Sequence, residues 1–234
     1  MIFSKLNPQR FFGALDIRGI LALSGVIGPL VLVVAEVIAA ASQSDYDFVR
    51  DSISSLALTP LGWVQTIGFL AIGLLIEIFA AGLFLNMHRK AGFGFSITLL
   101  GFFGFGLLLI GAFRANPVDG TATVEGTIHD TAGASVIWLF LGAVLLLLPS
   151  MKSDPRWEKV FNYTVVTSVL ALALVIGYPF LPGKLAWFGL YERLLVGNAV
   201  VWVEVVAIQL LRLSIRRKRA ARPTDRTLTQ PPTA

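Results

Sequence analysis

The stretch from Gly62 to Asn86, GWVQTIGFLAIGLLIEIFAAGLFLN, contains one ionisable side chain, Glu77, in 25 residues. At about 1.5 Å of rise per residue, a helix of this length covers the roughly 30 Å of hydrocarbon in a bilayer. The segment therefore reads as a transmembrane helix. Five further blocks have the same character, at 17–41, 92–114, 129–149, 159–180 and 190–213. Lipid offers no water to satisfy backbone groups, so such blocks must be helical. A barrel would need many alternating strands of about ten residues, and the sequence contains none. The whole chain is 56% hydrophobic and 14% charged, against about 25% charged in ordinary soluble domains.

The expected fold is all-α: six transmembrane helices in one bundle over residues 17–213. A leader at 1–16 precedes it, and a basic tail at 214–234 with the composition of a disordered segment follows. The first block is too long for a cleaved signal peptide and carries Glu36. The chain has no cysteine, which removes disulfides and thiol chemistry.

Lys and Arg decide the orientation. With the N-terminus inside, Lys5, Arg10, Arg18, Arg89, Lys90, Lys152, Arg156 and Lys159 are cytoplasmic. Arg212, Arg216, Arg217, Lys218, Arg219, Arg222 and Arg226 join them, making 15 of 19 basic residues. Arg50, Arg114, Lys184 and Arg193 remain outside. Both termini are thus expected in the cytoplasm, with the chain multi-pass in the cell (inner) membrane. The tail suits anionic lipid. It has no aromatic residue for base stacking, which argues against nucleic acid.

Between the first two blocks lies SDYDFVRDSISSLAL, Ser44 to Leu58. Tyr46, Val49, Ile53, Leu56 and Ala57 recur at helical spacing, which predicts a short amphipathic extracytoplasmic helix. Helices lying on headgroups usually carry Lys and Arg, whereas this one is mainly acidic. It is therefore expected to fold back over the bundle, polar face toward His129, Arg114 and Arg193.

Ionisable residues inside hydrocarbon cost about 2.5–3.5 kcal/mol on insertion scales and default to functional candidates. Glu36 falls near the outer surface; Glu77 and Glu204 share a depth in the inner half, where protonated acids can meet. At the outer ends, FRANPVDG supplies Arg114, Asn116 and Asp119, and EGTIHDTAGAS supplies His129 and Asp130 in a first turn capped by Thr127. GLYERLLVGN adds Tyr191, Glu192 and Arg193, with Asn198 two turns deeper. Four segments thus deliver His, Asp, Arg and Ser to one level. In a site, Arg50, Arg114 and Arg193, with Tyr191 and Asn198, would bind an amphiphile's phosphate or carboxylate. His129 would act as general base, oriented by Asp130 or Asp51, and Ser54 or Ser55 as nucleophile.

The blocks YDFVRDSISSLALTPLGWVQ, FRANPVDGTATVEGTIHD and GLYERLLVGN resemble those of domain-of-unknown-function family 998, a group of mostly bacterial six-span membrane proteins. The resemblance runs over nearly the whole chain. It implies a Ser–x–Leu at Ser54–Leu56, a Gly–x–x–His from Gly126 to His129, and an Arg, Arg193, opening the last helix. The chain departs from the pattern where Asn116 replaces an acidic residue before proline. The resemblance implies fold and topology but no reaction.

No span contains the lysine a retinal protein needs, and His88 and His129 lie at opposite ends, which excludes a bis-histidine haem. The two histidines are too few for a histidine-rich zinc centre, and no glycine-rich phosphate loop occurs. No metal or cofactor is expected. Three functions stay open: a hydrolase or transferase acting on lipid at the outer leaflet, a proton-coupled carrier using Glu36, Glu77 and Glu204, and a non-catalytic membrane subunit.

Overall fold

The computed structural model describes residues 16–116, 120–180 and 183–220. Asp119, residues 1–15 and residues 221–234 lie outside it. Six helices are long and apolar enough to cross a membrane, and no strand occurs among the described residues. They are α1 (Ile17–Ala41), α2 (Gly62–Asn86), α3 (Phe93–Ala112), α4 (Val124–Lys152), α5 (Glu158–Gly177) and α6 (Phe188–Ala220). The chain is a multi-pass helical membrane protein.

Each helix packs on the next, and α6 returns to α1, closing a ring. Between α2 and α3 the backbones come close at paired glycines. A Cβ on Gly73 would sit 2.8 Å from the Gly104 carbonyl oxygen, and one on Gly104 3.0 Å from that of Gly73. Without an aqueous hydrophobic effect between helices, such close approach supplies the dispersion contacts that hold them.

Aromatic side chains fill the centre of the ring. Phe103 of α3 lies 5.5 Å from Phe140 of α4, and Phe140 meets the Trp202 ring of α6 edge-on at 5.5 Å. Phe79 of α2 and Trp202 are fully buried. The Trp202 indole N–H donates to Thr164 Oγ1 of α5 at 3.0 Å, so its polar atom is satisfied in the core.

Two boundaries differ from expectation. α4 begins at Val124, because Thr123 Oγ1 accepts from the Gly126 N–H at 3.0 Å. Thr123, not Thr127, is therefore the cap, and His129 and Asp130 sit in the second turn. α6 continues beyond residue 213 to Ala220. Ser214 there donates to Asp16 Oδ1 at 2.5 Å, joining the end of α6 to the capping residue of α1. At the same end of the bundle, Arg156 pairs with Asp154 at 2.6 Å and holds that carboxyl below the usual range.

Trp202→Ala should cost about 3–5 kcal/mol, as large core truncations do. Unfolding in detergent micelles titrated with dodecyl sulfate measures this; an unchanged midpoint would mean the centre is not a packed core.

Candidate functional site

The connection from α1 to α2 is a strap of turns ending in a short 3-10 helix, Ser54–Leu58, and not an α-helix. Asp47 begins it: its Oδ1 accepts from the Val49 N–H at 2.8 Å, a local alternative to helical bonding. Arg50 Nε reaches Asp51 Oδ1 at 3.0 Å, and this bond holds the Asp51 carboxyl below the usual carboxylate range.

The strap then lies across the start of α6. The first N–H groups of a helix have no partner within it, and here strap carbonyls take two of them. Leu190 N donates to Val49 O at 2.9 Å and Gly189 N to Arg50 O at 3.2 Å. A side chain at 189 would not fit, since its Cβ would fall 2.3 Å from the Asp51 carbonyl oxygen. One turn on, Glu192 Oε2 accepts from the Ile53 N–H at 2.6 Å. Its other oxygen faces Ser54 Oγ at 3.4 Å.

Arg193 locks the arrangement. Its Nε donates to Glu36 Oε1 of α1 at 2.9 Å. Its Nη1 donates to the carbonyls of Phe48 at 2.8 Å, Asp51 at 2.9 Å and Gly189 at 3.0 Å. Its Nη2 bonds the Tyr46 hydroxyl, and the guanidinium lies over the Phe48 ring at 5.0 Å. The Tyr46 hydroxyl donates in turn to Ser52 O at 2.9 Å. Burial pushes that phenol up to about 12. Arg193 and Glu36 are each only 17% exposed, so this ion pair is screened far less than one at the surface.

A second polar group sits at the same end, on α3 and α4. His129 is buried, and its Nδ1 faces two backbone carbonyls that end α3, Phe113 O at 2.8 Å and Ile110 O at 3.1 Å. Both are acceptors, so Nδ1 carries the proton. Neither Asp130 nor Asp51 bonds the imidazole: Asp130 accepts from Asn116 Nδ2 at 3.3 Å, and Asp51 from Arg50. Asn116 Oδ1 also accepts from the Thr123 N–H at 2.9 Å, tying the α3–α4 connection to the α4 cap. Arg114 is exposed; its backbone N–H donates to Glu125 Oε1 at 2.9 Å.

The structure thus divides the expected cluster. Arg193 of α6 and Glu36 of α1 are joined to the strap, which contains Arg50, Asp51 and Ser54, with Ser55 bonded inside it to Ser52 O at 2.7 Å. His129, Asp130 and Arg114 belong to the other group, and no hydrogen bond joins the two among the described residues. Tyr191 stacks on Tyr178 at 3.9 Å between centroids, and Asn198 donates to Thr167 O at 3.2 Å. Glu77 lies against α3, where a Cβ on Gly104 would be 3.1 Å from its Oε1. It is not bonded to Glu204. Sequence reasoning assigned no role to Glu192 and treated Tyr46 only as part of an oily face. The adjacency of Glu192 to Arg193, two opposite charges opening one helix, was the available signal.

These features define a six-span helical membrane protein whose first connection is clamped to its last helix by one arginine. The chain belongs to the family described as Protein of unknown function (DUF998), whose model matches residues 26–209. That range contains Glu36, the strap, His129 and Arg193. Comparison with curated proteins and with solved structures gives no match.

Arg193→Ala should destabilise by about 3–5 kcal/mol, because it strands a half-buried Glu36 carboxylate. The Arg193→Ala/Glu36→Ala pair should cost less than the sum of the single changes by roughly 0.5–3 kcal/mol. Strict additivity in a double-mutant cycle would refute the coupling.

Alkali supplies a separate test. A phenol that keeps its proton to about 12 when folded and to about 10 when unfolded gives the folded state more bound protons between those values. Stability is then complete below pH 10 and declines as pH rises toward 12. Tyr46→Phe should flatten that decline. Parallel curves for the variant and wild type would dissociate it from Tyr46.

Proposed function

We propose that this protein acts by binding, not by turnover: a non-catalytic protein of the cell (inner) membrane that holds a lipid or other amphiphile. Both termini lie in the cytoplasm and the strap outside. Residues 17–213 form the membrane domain, between a cytoplasmic leader and a basic cytoplasmic tail. The 15-to-4 distribution of basic residues supports this orientation. One observation carries the functional reading: each guanidinium nitrogen of Arg193 is already bonded to the protein. An arginine in that condition is a structural clamp: among the described residues only the second N–H of Nη2, out of five donors, is left without a partner. His129 has a structural role of its own, since its Nδ1 proton ties α4 to backbone carbonyls at the end of α3.

The carrier reading has less support. A relay through Glu36, Glu77 and Glu204 needs a polar path, and no hydrogen bond links any two of these acids among the described residues. Its second weakness is that Glu36 is committed to Arg193.

For topology, alkaline phosphatase fused after Ala234 should be inactive and the same enzyme inserted at Ser44 active. The reverse result would invert the molecule. For function, proteoliposomes loaded with a pH-sensitive dye should show no proton flux above empty vesicles, and a fluorophosphonate probe should not label the protein. Flux lost in Glu77→Gln or Glu204→Gln would establish a carrier. Labelling lost in Ser54→Ala or Ser55→Ala would establish an enzyme.

A further inference from the structure

Between α3 and α4 runs a groove of about 520 Å³. Phe105 and Leu109 line it from α3; Thr127, Thr131, Ser135 and Leu139 line it from α4. Its volume is that of a small-ligand site, which typically spans about 300–1,000 Å³. From Thr127 to Leu139 the α4 side extends roughly 18 Å at the rise of an α-helix.

The hydroxyls along α4 indicate what fits there. Thr127 donates to Thr123 O at 2.9 Å, Thr131 to Thr127 O at 2.7 Å and Ser135 to Thr131 O at 2.7 Å. Each hydroxyl proton is used within its own helix. A transmembrane partner helix docking on small polar residues would draw on them for interhelical hydrogen bonds. With those donors spent, the lining suits a hydrocarbon chain that asks for none.

The end of the groove carries charge. Thr127 lies two residues beyond Glu125, and Glu125 Oε1 is bonded by the backbone N–H of Arg114, five residues beyond Leu109. Both side chains are exposed. The Arg114 guanidinium has no hydrogen-bond or ion-pair partner among the described residues, and Glu125 Oε2 accepts no bond from them. A cation and a carboxylate oxygen thus remain unengaged on residues a few positions beyond the lining of the groove. Asp130, one turn along α4, adds a second carboxylate, one oxygen of which is held by Asn116. An anionic headgroup would meet these two acids. A headgroup with a phosphate for Arg114 and a primary ammonium for Glu125 matches both signs.

We propose that the α3–α4 groove is the seat for one acyl chain of a zwitterionic aminophospholipid, its phosphate on Arg114 and its ammonium on Glu125. The proposal rests on the binding reading above and names its ligand class.

Native mass spectrometry of the purified full chain, with phosphatidylethanolamine, phosphatidylcholine and phosphatidylglycerol of identical chains, tests it. Phosphatidylethanolamine should be retained at least threefold over each of the others. Thr131→Phe/Ser135→Phe fills the groove from two exposed positions that support no core packing. It should reduce retention at least fivefold while leaving the dodecyl sulfate unfolding midpoint unchanged. Arg114→Gln and Glu125→Gln should each bring phosphatidylethanolamine to the phosphatidylcholine level, while Arg50→Gln, a basic residue in the strap, should change nothing. Equal retention by the groove-filled variant would overturn the seat. Preference for phosphatidylglycerol would overturn the headgroup assignment. A copurifying polypeptide lost only in the groove-filled variant would overturn the lipid in favour of a helix. None of these results bears on proton flux or fluorophosphonate labelling, so the groove can fail while the non-catalytic reading stands.

Discussion

The guanidinium of Arg193 must be satisfied inside a bundle that offers little water, and the architecture at that end follows from this requirement. Arginine cannot shed its charge, so it must be paired or leave the protein interior. Glu36 supplies the counter-charge from α1. The carbonyls of Phe48, Asp51 and Gly189 and the Tyr46 hydroxyl supply the remaining acceptors. To deliver those carbonyls, the strap must cross the first turn of α6, and doing so also satisfies two helix-terminal N–H groups. One charge therefore sets the course of the connection, the small residue at 189 and the contact between the first and last helices. Lysine would not substitute, since a single ammonium cannot reach acceptors fanned around a planar fork.

The rest of the bundle has a simpler logic. Aromatic rings fill the middle and glycines let the α2 and α3 backbones touch. Thr164 and Glu77 lie deeper along the helices, while the charged networks sit at the two ends, each stitched by its own bonds. At the strap end these are the Arg193 network and the His129 contact with the end of α3. At the other end they are Ser214 with Asp16 and Arg156 with Asp154. Between these rims the helices present chiefly hydrocarbon outward. The α3–α4 side is the exception, because hydroxyls and an unengaged pair of charges meet there.

The six helices were legible because bilayer thickness fixes the length of an apolar run, and hydropathy measures that run directly. The depth of polar residues was legible for the same reason: counting residues from a helix end places Glu36, Arg193 and His129 at one level. Their positions around the ring were not legible. Glu36 and Arg193 are 157 residues apart, and nothing in either local sequence states which helices are neighbours. Main-chain partners were hidden altogether. His129 binds the carbonyls of Ile110 and Phe113, and Arg193 those of Phe48 and Asp51, groups that every sequence contains. The start of α4 was misplaced because Thr123 lies in a polar stretch, where a hydropathy edge says nothing about where the backbone begins to turn.

Because each helix packs on its predecessor, a chain emerging from the ribosome can assemble α1 through α5 by contacts between consecutive spans. The closing contact, α6 on α1, must wait until synthesis is nearly complete. Until then Glu36 has no cation, and the strap carbonyls have no guanidinium. The nascent protein carries an unpaired acid in its first span and an unfastened loop beside it. Arrival of the last helix therefore pairs that acid, fastens that loop and closes the ring in a single step.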